Sequence, residues 1–359
     1  MEYELGELLS YKQPTDYIVK STDYDYSYNT PVLTAGKSFI IGYTNEKTGI
    51  FSNLPVIIFD DFTTSSQYVD FPFKVKSSAM KILSCNNKIA DLKYLFYKMQ
   101  TIQFDSSNHK RYWISEYSKV KLELPTLAEQ QRIVNRIESM FAKLDEAKEK
   151  AQNVVDGFET RKAAILHKAF TGELTAKWRK ENGVCDDSWE EKRFDEFCLL
   201  KRGFDLPATQ RIEGMYPLVS SSGIIDTHNE AKVKAPGIVT GRSGSIGKVF
   251  YIEEDFFPLN TTLYSQNLFG NNARYVYYYL SNFDFKRFSS STAVPTLNRN
   301  NFSKVELKVP TFPEQVEIVR ILDIIIEKEN KAKQAAEAVL EQIDLLKKSI
   351  LARAFRGEL

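Results

Sequence analysis

The sequence predicts an α+β protein in which two mixed α/β domains are separated by two long helices, which pair as an antiparallel coiled coil with a pseudo-twofold internal repeat. Three observations lead to this prediction. Short motifs occur twice at one constant spacing, an apolar seam follows the first motif in each copy, and two aromatic-rich segments lie outside the seams. Self-similarity at a fixed spacing indicates repeated structural units, and an apolar period of 3.5 residues is typical of coiled coils.

Two repeated motifs mark the ends of each long helix. A Pro-Thr-x-x-Glu-Gln element at Pro125–Gln130 returns 185 residues later at Pro310–Gln315, and an Ala-Phe-x-Gly-Glu-Leu element at Ala169–Leu174 returns at the same spacing at Ala354–Leu359. Proline is tolerated at the start of a helix, and glycine is common just after its end. Because the spacing is constant, we predict one continuous helix of the same length in each copy.

The apolar seam predicts how the two helices pair. It comprises Ile133, Ile137, Met140, Leu144, Ala147, Ala151, Val154, Phe158 and Ile165 in the first copy, and Ile318, Leu322, Ile325, Ala332, Ala336, Val339, Ile343, Leu346 and Ile350 in the second. The domain between the helices must take the chain from the end of one to the start of the other. Antiparallel pairing brings these points together, whereas parallel pairing would separate them by about 60 Å.

Small residues suggest a register for this pairing. It places Ala147 opposite Ala336 and Ala151 opposite Ala332, so that four small side chains meet. Arg161 and Glu329 interrupt the seam, which suggests partner contacts or control of the register. The alternative is two unrelated amphipathic helices, each packed on a separate core. The position-by-position match of the two seams favours pairing.

These features divide the chain into five parts. They are a first domain at 1–122, a first helix at 123–175, a linker at 176–188, a second domain at 189–308 and a second helix at 309–359. Within the domains, β-branched and aromatic runs predict strands at Ser38–Tyr43, Val56–Phe59 and Lys248–Ile252, and short helices are predicted at Tyr94–Met99 and Tyr275–Leu280.

Composition limits the class of protein. The formal net charge of the 359 residues is +1, so a nucleic-acid reader with this sequence must concentrate its positive charge locally. The three cysteines have neither paired nor zinc-like spacing, which favours reduced thiols and no metal site. The first residues are too polar for a signal peptide, and no apolar run reaches the length of a membrane span. We therefore expect a cytoplasmic protein without membrane association.

The glycine-rich loop Gly241–Lys248 is the most informative local motif. A nucleotide-binding P-loop needs glycine where Arg242 stands and Ser or Thr where Val249 stands, so nucleotide hydrolysis is rejected. The functional interpretation is a mobile loop that brings Arg242 and Lys248 to a DNA backbone or base edge. The alternative is a glycine-rich hairpin with ordinary surface charge.

Other polar stretches are weaker signals. The corresponding stretch of the first domain, Asp60–Tyr68, either reads cytosine amino groups through a carboxylate or forms a solvated turn. Asp70 and Lys74 resemble a nuclease fragment only weakly, and His109 has no visible partner as a general base. The sequence contains neither an Asn-Pro-Pro-aromatic methyltransferase motif nor an Asp-Glu-Ala-Asp helicase motif, so we expect no catalytic residues.

Basic, amide and hydroxyl side chains in these loops form the predicted DNA-binding set, because such groups contact both phosphates and base edges. The set comprises Lys37, Thr63, Thr64, Ser65, Lys110, Arg111, Tyr112, Arg202, Arg242, Ser243, Ser245, Lys248, Thr296, Asn298 and Arg299.

The chain resembles the specificity subunits of type I restriction–modification systems. The resemblance rests on the repeated motifs at Pro125–Gln130 and Ala169–Leu174, on the two-copy layout, and on the stretches Val56–Lys76 and Gly237–Leu263, which look like target recognition domains. It implies that each domain reads one half of a bipartite site in double-stranded DNA, with the paired helices fixing the unread spacer.

The resemblance also implies partners. The helices would dock modification subunits, usually two, which supply S-adenosylmethionine and methylate adenine. A restriction subunit would add translocation and cleavage with ATP and magnesium. The residues implied to bind these partners are the apolar ones of the repeated closing motif, Phe170, Leu174, Phe355 and Leu359. This chain itself would hold no cofactor and would not be an enzyme. Alternatives are the specificity subunit of a type IIB or other DNA-methylation defence system, and a coiled-coil scaffold with two protein-binding domains.

Overall fold

The structure is a computed structural model that describes residues 1–36, 38–102, 111–290 and 295–359. Its internal contacts divide it into two units. The first unit holds Met1–Gln152 and Glu337–Leu359, and the second holds Asn153–Ala336. Each unit therefore contains one globular domain, the start of one long helical segment and the end of the other.

In the first unit, the described residues form nine strands and four helices, and the last of these helices, α4, continues into the second unit. They are β1 (Glu2–Glu4), α1 (Leu5–Leu8), β2 (Leu9–Lys12), β3 (Thr30–Leu33), β4 (Ile40–Thr44), β5 (Val56–Asp60), β6 (Ser66–Val69), β7 (Lys74–Val75), β8 (Met80–Cys85), α2 (Leu92–Met99), α3 (Tyr112–Ser115), β9 (Lys121–Glu123) and α4 (Leu127–Asp156).

The second unit repeats most of this order. Its elements are α5 (Phe158–Phe170), α6 (Ala176–Glu181), β10 (Glu190–Arg193), α7 (Phe194–Phe197), β11 (Leu199–Arg202), β12 (Tyr216–Ser220), β13 (Gly223–His228), β14 (Gly237–Gly241), β15 (Val249–Ile252), β16 (Phe257–Pro258), β17 (Thr262–Asn267), α8 (Ala273–Asn282), β18 (Glu306–Val309) and α9 (Phe312–Ala354). Across the described residues, no helix has both the length and the apolar character needed to cross a bilayer.

The two domains share one sheet topology. A four-stranded antiparallel sheet has the order β2-β8-β5-β6 in the first unit and β11-β17-β14-β15 in the second. A three-stranded sheet has the order β4-β3-β7 and, correspondingly, β13-β12-β16. A two-stranded ribbon closes each domain, β1 with β9 and β10 with β18. The internal repeat therefore extends through the domains, although their sequences correspond only loosely.

The central strand β5 or β14 of each four-stranded sheet is buried along most or all of its length. Val56, Ile57, Ile58 and Phe59 of β5 are all buried, as expected of a strand covered on both faces. In the second unit all of β14, Gly237–Gly241, is buried in the same way. Continuous burial rather than alternation thus marks the middle of each four-stranded sheet.

The repeated glutamine joins each domain to its long helix. In the first unit the side chain of Gln130 accepts a hydrogen bond from the Asp91 backbone N–H at 2.8 Å and donates to the Pro125 carbonyl at 2.9 Å. In the second unit Gln315 accepts from the Asn272 backbone N–H at 2.8 Å and donates to the Pro310 carbonyl at 2.9 Å. Asp91 and Asn272 are the N-caps of α2 and α8, so the same bonds fix the short helix to the long one in both units.

Charged pairs reinforce this junction at matching positions. Lys93 of α2 pairs with Glu138 of α4 at 2.5 Å, and Arg274 of α8 pairs with Asp323 of α9 at 2.9 Å. Glu138 and Asp323 are separated by the same 185 residues as the repeated motifs. The junction is therefore a repeated structural unit, which explains why the motif sequences recur while the domains differ.

The helices pair antiparallel within each unit. In the first unit Asp145 of α4 pairs with Lys347 of α9 at 2.6 Å, and Ile137 packs against Leu351. In the second unit Arg161 of α5 pairs with Glu329 of α9 at 2.8 Å. Residue numbers rise along one helix as they fall along the other, which confirms the predicted direction.

The predicted register is wrong. Facing Ala147 with Ala336 would put Asp145 opposite residue 338, whereas the ion pair places Asp145 beside Lys347. The predicted seam positions Ala332, Val339 and Leu346 are exposed. The register is set instead by the junction, because the start of α4 and the end of α9 both pack on α2 of the same domain, for example through Phe355 against Tyr94.

The first long helix is not continuous, contrary to the prediction. It is interrupted at Gly157, between α4 and α5, whereas α9 runs unbroken for 43 residues. Glycine is about 1 kcal/mol less favourable than alanine inside a helix, and the corresponding residue of the second copy is Gln342. The guanidinium of Arg161 donates to the Val154 carbonyl at 2.8 Å and also pairs with Glu329. The two residues that interrupt the seam therefore bind each other and satisfy the backbone at this break.

The predicted linker 176–188 contains the helix α6 and is anchored to α9. Glu314, which is fully buried, accepts hydrogen bonds from Thr175 and from Arg179, both at 2.6 Å, and from the Trp189 indole N–H at 3.1 Å. Arg179 also donates to the Gly172 carbonyl at 2.9 Å. The glutamate of the repeated motif thus fastens both ends of the linker in the second unit.

Candidate nucleic-acid interface

A polar cleft of 560 Å³ in the second unit collects cationic side chains from three separate segments. Lys201 and Arg202 come from the end of β11, Arg242 from the loop after β14, and Arg299 from the segment before β18. Thr296 and Asn298 complete the polar lining. The domain thereby concentrates positive charge that the overall composition does not reveal.

The sheet positions the first of these segments. β11 pairs with β17 so that Arg202 lies opposite Leu263, and Gly203 then donates its backbone N–H to Thr262 at 3.0 Å. A Cβ at Gly203 would come within 2.2 Å of the Leu259 carbonyl oxygen. The backbone therefore passes closely against the segment between β16 and β17, and the adjacent cations line the cleft.

Backbone hydrogen bonds bring the other two segments together. Arg242 donates its N–H to the Thr261 carbonyl at 2.8 Å, and its own carbonyl accepts from the Leu297 N–H at 2.7 Å. Ser243 and Thr296 form an antiparallel bridge. The glycine-rich loop is consequently part of the domain framework, and Arg242 is held at a defined position.

The cationic side chains of the cleft differ in the hydrogen bonds and ion pairs that they already make within the protein. Arg299 donates to the Leu200 carbonyl at 3.0 Å, and Arg202 pairs with Asp205 at 3.1 Å while keeping half of its side chain exposed. For Arg242, no side-chain partner occurs among the residues that the structure describes. Guanidinium groups bind phosphates and the O6 and N7 atoms of guanine, so this arrangement suits a nucleic-acid strand.

Five predicted residues are brought together in this cleft: Arg202, Arg242, Thr296, Asn298 and Arg299. Ser243, Ser245 and Lys248 lie in the adjoining loop, where Lys248 is exposed. The sequence reasoning missed Lys201, which neighbours Arg202, and Lys286, whose aliphatic chain lies beside Gly247. The strand register could have indicated Lys201, whereas Lys286 is brought in only by the fold.

In the first unit, the predicted residues Thr63, Thr64 and Ser65 form the tight turn between β5 and β6. The Asp60 carboxylate accepts from the backbone N–H groups of Phe62 and Thr63 at 2.9 and 3.1 Å, and Thr64 adopts a left-handed backbone with φ of +59°. Asp60 thus holds the turn through one carboxylate oxygen, and the reading of cytosine by this stretch stays a prediction.

The carboxylate of the next residue, Asp61, is not available for such a contact. Asp61 is buried, pairs with buried Lys81 at 3.2 Å, and accepts from the Trp113 backbone N–H at 2.8 Å. Tyr112 donates its own N–H to the Asp61 carbonyl at 2.8 Å. These bonds bring exposed Arg111 to the same end of the sheet as the 63–65 turn.

Tyr112 is a correction to the predicted set. Only 1% of its surface is exposed, so its side chain belongs to the core and is not available for contact with DNA. Lys74, considered as a nuclease residue, is likewise buried in an ion pair with Glu46 at 2.9 Å. Lys37, Lys110 and His109 lie outside the described residues.

Lys12 is a candidate that the sequence reasoning missed. It lies opposite Ile82 in the β2–β8 pair, as Arg202 lies opposite Leu263 in the β11–β17 pair. Its ammonium donates to the Tyr17 hydroxyl at 2.6 Å, and this hydrogen bond raises the pKa of Lys12. The group is exposed and therefore offers the first domain a cation at the place of Arg202.

The four predicted partner-binding residues have contacts within their own units. Phe170 packs edge-on against Tyr275 and Tyr279 with ring centroids 5.7 and 5.0 Å apart, and Leu174 packs on the same core. Phe355 packs against Tyr94 at 5.3 Å, and Leu359 joins a cluster with Leu351. Intramolecular packing accounts for the repetition of this motif without a partner protein.

The fold and the cleft define a class of protein with two repeated α/β domains on paired helices. The chain belongs to the type I restriction modification DNA specificity domain family, whose model matches residues 1–155 and 186–342. Over 150 residues it is 50% identical to the EcoR124I/EcoR124II specificity subunit of Escherichia coli, covering 38% of this chain and 37% of that one. It is 23% identical over 292 residues to the EcoDI specificity subunit of Escherichia coli, covering 68% of this chain and 63% of the relative.

Solved structures share the fold. The HsdS subunit from Thermoanaerobacter tengcongensis has a TM-score of 0.65 at 15% identity, covering 100% of this chain and 97% of that one. A chain from a type I R-M system, solved to explain complex assembly and conformational transition, has a TM-score of 0.71 at 16% identity, covering 100% of this chain and 98% of its own length. The alignments span only 37% and 63% of the two curated relatives described above.

Proposed function

We propose that this chain is the DNA-reading specificity subunit of a type I restriction–modification complex, in which each domain reads one half of a bipartite site. The observation that carries the proposal is the cleft of the second unit, where Lys201, Arg202, Arg242 and Arg299 converge. Family membership supplies the class of ligand, and the cleft supplies residues suited to phosphates and to guanine edges.

The divergence between the two domains supports separate half-sites. The second domain presents arginines in its cleft, whereas the equivalent strand position of the first domain carries Lys12 and its corresponding turn carries threonine and serine. Two domains that read different DNA sequences need different side chains at equivalent positions of the fold, and the shared topology supplies those positions. The paired helices then serve as the spacer element.

Partner docking is proposed on the outer faces of α9. In the first unit Val339, Leu345 and Leu346 are exposed at 40%, 65% and 46%. In the second unit Phe312 and Val316 are exposed at 53% and 44%. Exposed apolar groups near one another mark protein interaction surfaces. These residues replace the four closing-motif residues as candidates for contact with modification subunits, with one surface in each unit.

The chemistry is assigned to the partners. We propose that two modification subunits bring S-adenosylmethionine, that a restriction subunit uses ATP and magnesium, and that this chain contributes recognition without a catalytic residue. The type I assignment over a type IIB or related methylation system rests on the named relatives.

Substitution of the cleft arginines tests the proposal. Arg242→Ala and Arg299→Ala should each weaken binding of the assembled methyltransferase to its cognate duplex by about 10- to 100-fold if they contact bases, since a good base contact is worth about 1–3 kcal/mol. If they contact phosphates, the slope of log K against log salt should fall by about 0.9 for each.

The matched control is Lys177→Ala, which removes an 87% exposed cation of α6 in the same unit. It should leave both affinity and salt slope unchanged. Equal behaviour of all three variants would refute the assignment of the cleft to DNA.

A further inference from the structure

Each unit links an outer strand of its four-stranded sheet to its long helix through a tyrosine, a cation and a carboxylate. In the first unit the Lys93 ammonium lies 5.4 Å from the centre of the Tyr68 ring and 2.5 Å from the Glu138 carboxylate. Tyr68 belongs to β6, Lys93 to α2 and Glu138 to α4. A single cation of the short helix therefore contacts both the strand and the long helix.

The second unit contains the same link with different charged residues. The Arg274 guanidinium lies 5.6 Å from the centre of the Tyr251 ring of β15, and its Nε lies 2.9 Å from the Asp323 carboxylate of α9. Arginine and aspartate thus stand where the first unit has lysine and glutamate. The order of aromatic ring, cation and acid is the same in both units.

The short helices place these groups in the same way. In both units the cation is the second residue after the N-cap of the short helix. Three residues further along α2, Phe96 packs on the Tyr68 ring with centroids 6.1 Å apart. At the same position of α8, Tyr277 packs on the Tyr251 ring with centroids 5.7 Å apart. The tyrosine of each strand is therefore held by two side chains of the short helix.

Each linked strand directly follows a loop that carries predicted DNA-binding residues. β6 begins at Ser66, immediately after the 63–65 turn. β15 begins at Val249, immediately after the glycine-rich loop Gly241–Lys248. Within the described part of the chain, both strands are outermost in their sheets, and each pairs with one neighbouring strand. The link to the long helix therefore adds a second constraint on the strand and on the loop before it.

A contribution to stability does not explain why the link occurs twice. The side chains of Lys93 and Glu138 are 37% and 38% exposed, and the pair of Arg274 with Asp323 is exposed to a similar extent. Ion pairs with this exposure contribute little to the free energy of unfolding, and cation–π contacts at exposed sites are also weak. An arrangement that is weak in energy and repeated in geometry is suited to fixing an orientation.

We propose that these two links act as positioning residues, which hold the reading loop of each domain in a fixed orientation to the long helix of its own unit. They thereby restrict the spacer lengths that the assembled complex accepts. This inference rests on the proposed function, because it requires that the loops before β6 and β15 read DNA and that the helices fix the spacer. The links themselves make no contact with DNA.

The test compares methylation by the assembled complex on duplexes with the cognate spacer and with spacers one base pair shorter or longer. The cognate site is identified by sequencing methylated genomic DNA. Lys93→Met and Arg274→Met remove the charge and keep an unbranched side chain. A misplacement of about 1 Å can change a rate by about 100-fold, so the ratio of altered-spacer to cognate methylation should rise by about tenfold or more. The preferred half-site sequences should stay the same.

Conservative variants separate positioning from a general loss of structure. Arg274→Lys should keep the original ratio, because the first unit uses a lysine at this position. Tyr68→Phe should also keep it, because the ring faces the cation, whereas Tyr68→Leu should behave like Lys93→Met. Lys150→Met is the matched control, because Lys150 forms an exposed ion pair within α4, with Glu146, and should leave the ratio unchanged.

Hydrogen exchange of the free chain gives a second readout for the first unit. Amides of residues 63–69 should exchange at least tenfold faster in Lys93→Met than in Lys150→Met, while those of β5 are unchanged. Equal exchange in the two variants would overturn the proposal.

The failure of this inference is distinguishable from a failure of the proposed function. If the unmodified complex methylates a bipartite site with one spacer, and both methionine variants keep the original ratio, the positioning role is wrong and the proposed function stands. If the unmodified complex shows no bipartite specificity, both are wrong.

Discussion

Removing the arginine from each of the two glutamate sites should have very different effects on stability. Arg179→Ala in the second unit removes a side chain that is 6% exposed and donates four hydrogen bonds. Their acceptors are Glu314, the Gly172 carbonyl, Thr175 and Asp186. Arg132→Ala in the first unit removes the partner of the 41% exposed Glu129. The two glutamates occupy the same place in the repeated motif, so the comparison isolates the effect of burial.

The expected magnitude for Arg179→Ala follows from its partner. Removing one member of a buried ion pair costs about 3–5 kcal/mol, because a charge is left without its partner in a medium of low polarity. Glu314 keeps its bonds from Thr175 and Trp189, which favours the lower end, about 3 kcal/mol. With a urea m-value of about 2–3 kcal/mol/M, the midpoint should fall by about 1 M. Arg132→Ala should leave the midpoint nearly unchanged, because exposed ion pairs contribute little.

The assay is equilibrium unfolding in urea, followed by tryptophan fluorescence. Trp178 and Trp189 lie in the second unit and Trp113 in the first, so most of the signal reports on the unit that is changed. Hydrogen exchange of residues 172–189 gives a local readout of the same event. Equal midpoint shifts for the two variants would refute the reasoning that burial distinguishes the two sites.

Three further predictions concern thiols, the helix face and the spacer. Burial raises the pKa of Cys198 to about 12 and that of Cys85 to about 11, so both thiols stay protonated at pH 8. Iodoacetamide should therefore label only the exposed Cys185 until urea is added. Mass spectrometry of the labelled peptides checks this, and rapid labelling of Cys198 would contradict its burial. The double substitution Leu345→Glu with Leu346→Glu should abolish co-purification with the modification subunit and leave the unfolding midpoint unchanged. Retained co-purification would show that the docking surface lies elsewhere. Deleting one heptad from both long helices shortens each by about 10 Å. The spacer of the recognised site, measured in a methylation assay, should then be about three base pairs shorter. An unchanged spacer would show that the helices do not determine the spacer length.

The architecture was predictable from the sequence because it rests on repeated local signals. The constant spacing of the Pro-Thr-x-x-Glu-Gln and Ala-Phe-x-Gly-Glu-Leu elements identified both helices, and apolar runs such as Val56–Phe59 identified central strands. Antiparallel direction followed from the need to return the chain to the second helix. These inferences use only local periodicity and topology, which the sequence records directly.

The register and the helix break were not predicted because they depend on tertiary contacts. The position of Phe355 against Tyr94 fixes where α9 lies along α4, and no seam periodicity contains that information. Gly157 was visible as a residue with low helix propensity, but the bonds from Arg161 to Val154 and Glu329 that stabilise the break are evident only in the structure.

The candidate site was predicted in part for a similar reason. Arg242 and Arg299 stood out as cations in polar loops, and backbone bonds through Leu297 bring their segments together. Tyr112 was chosen because it follows Arg111 in a polar stretch, yet the bond from its N–H to Asp61 turns this residue into the core. Proximity in sequence to a basic residue does not determine the direction of a side chain.

Exchange of the first domain tests the division of labour most directly. Residues 1–122 are replaced with the corresponding domain of another family member, and the methylated sites of the assembled complex are read by sequencing treated genomic DNA. The account predicts that one half of the recognised sequence changes while the other half and the spacer length stay the same. Changes in both halves, or a changed half that follows residues 189–308 instead, would contradict it.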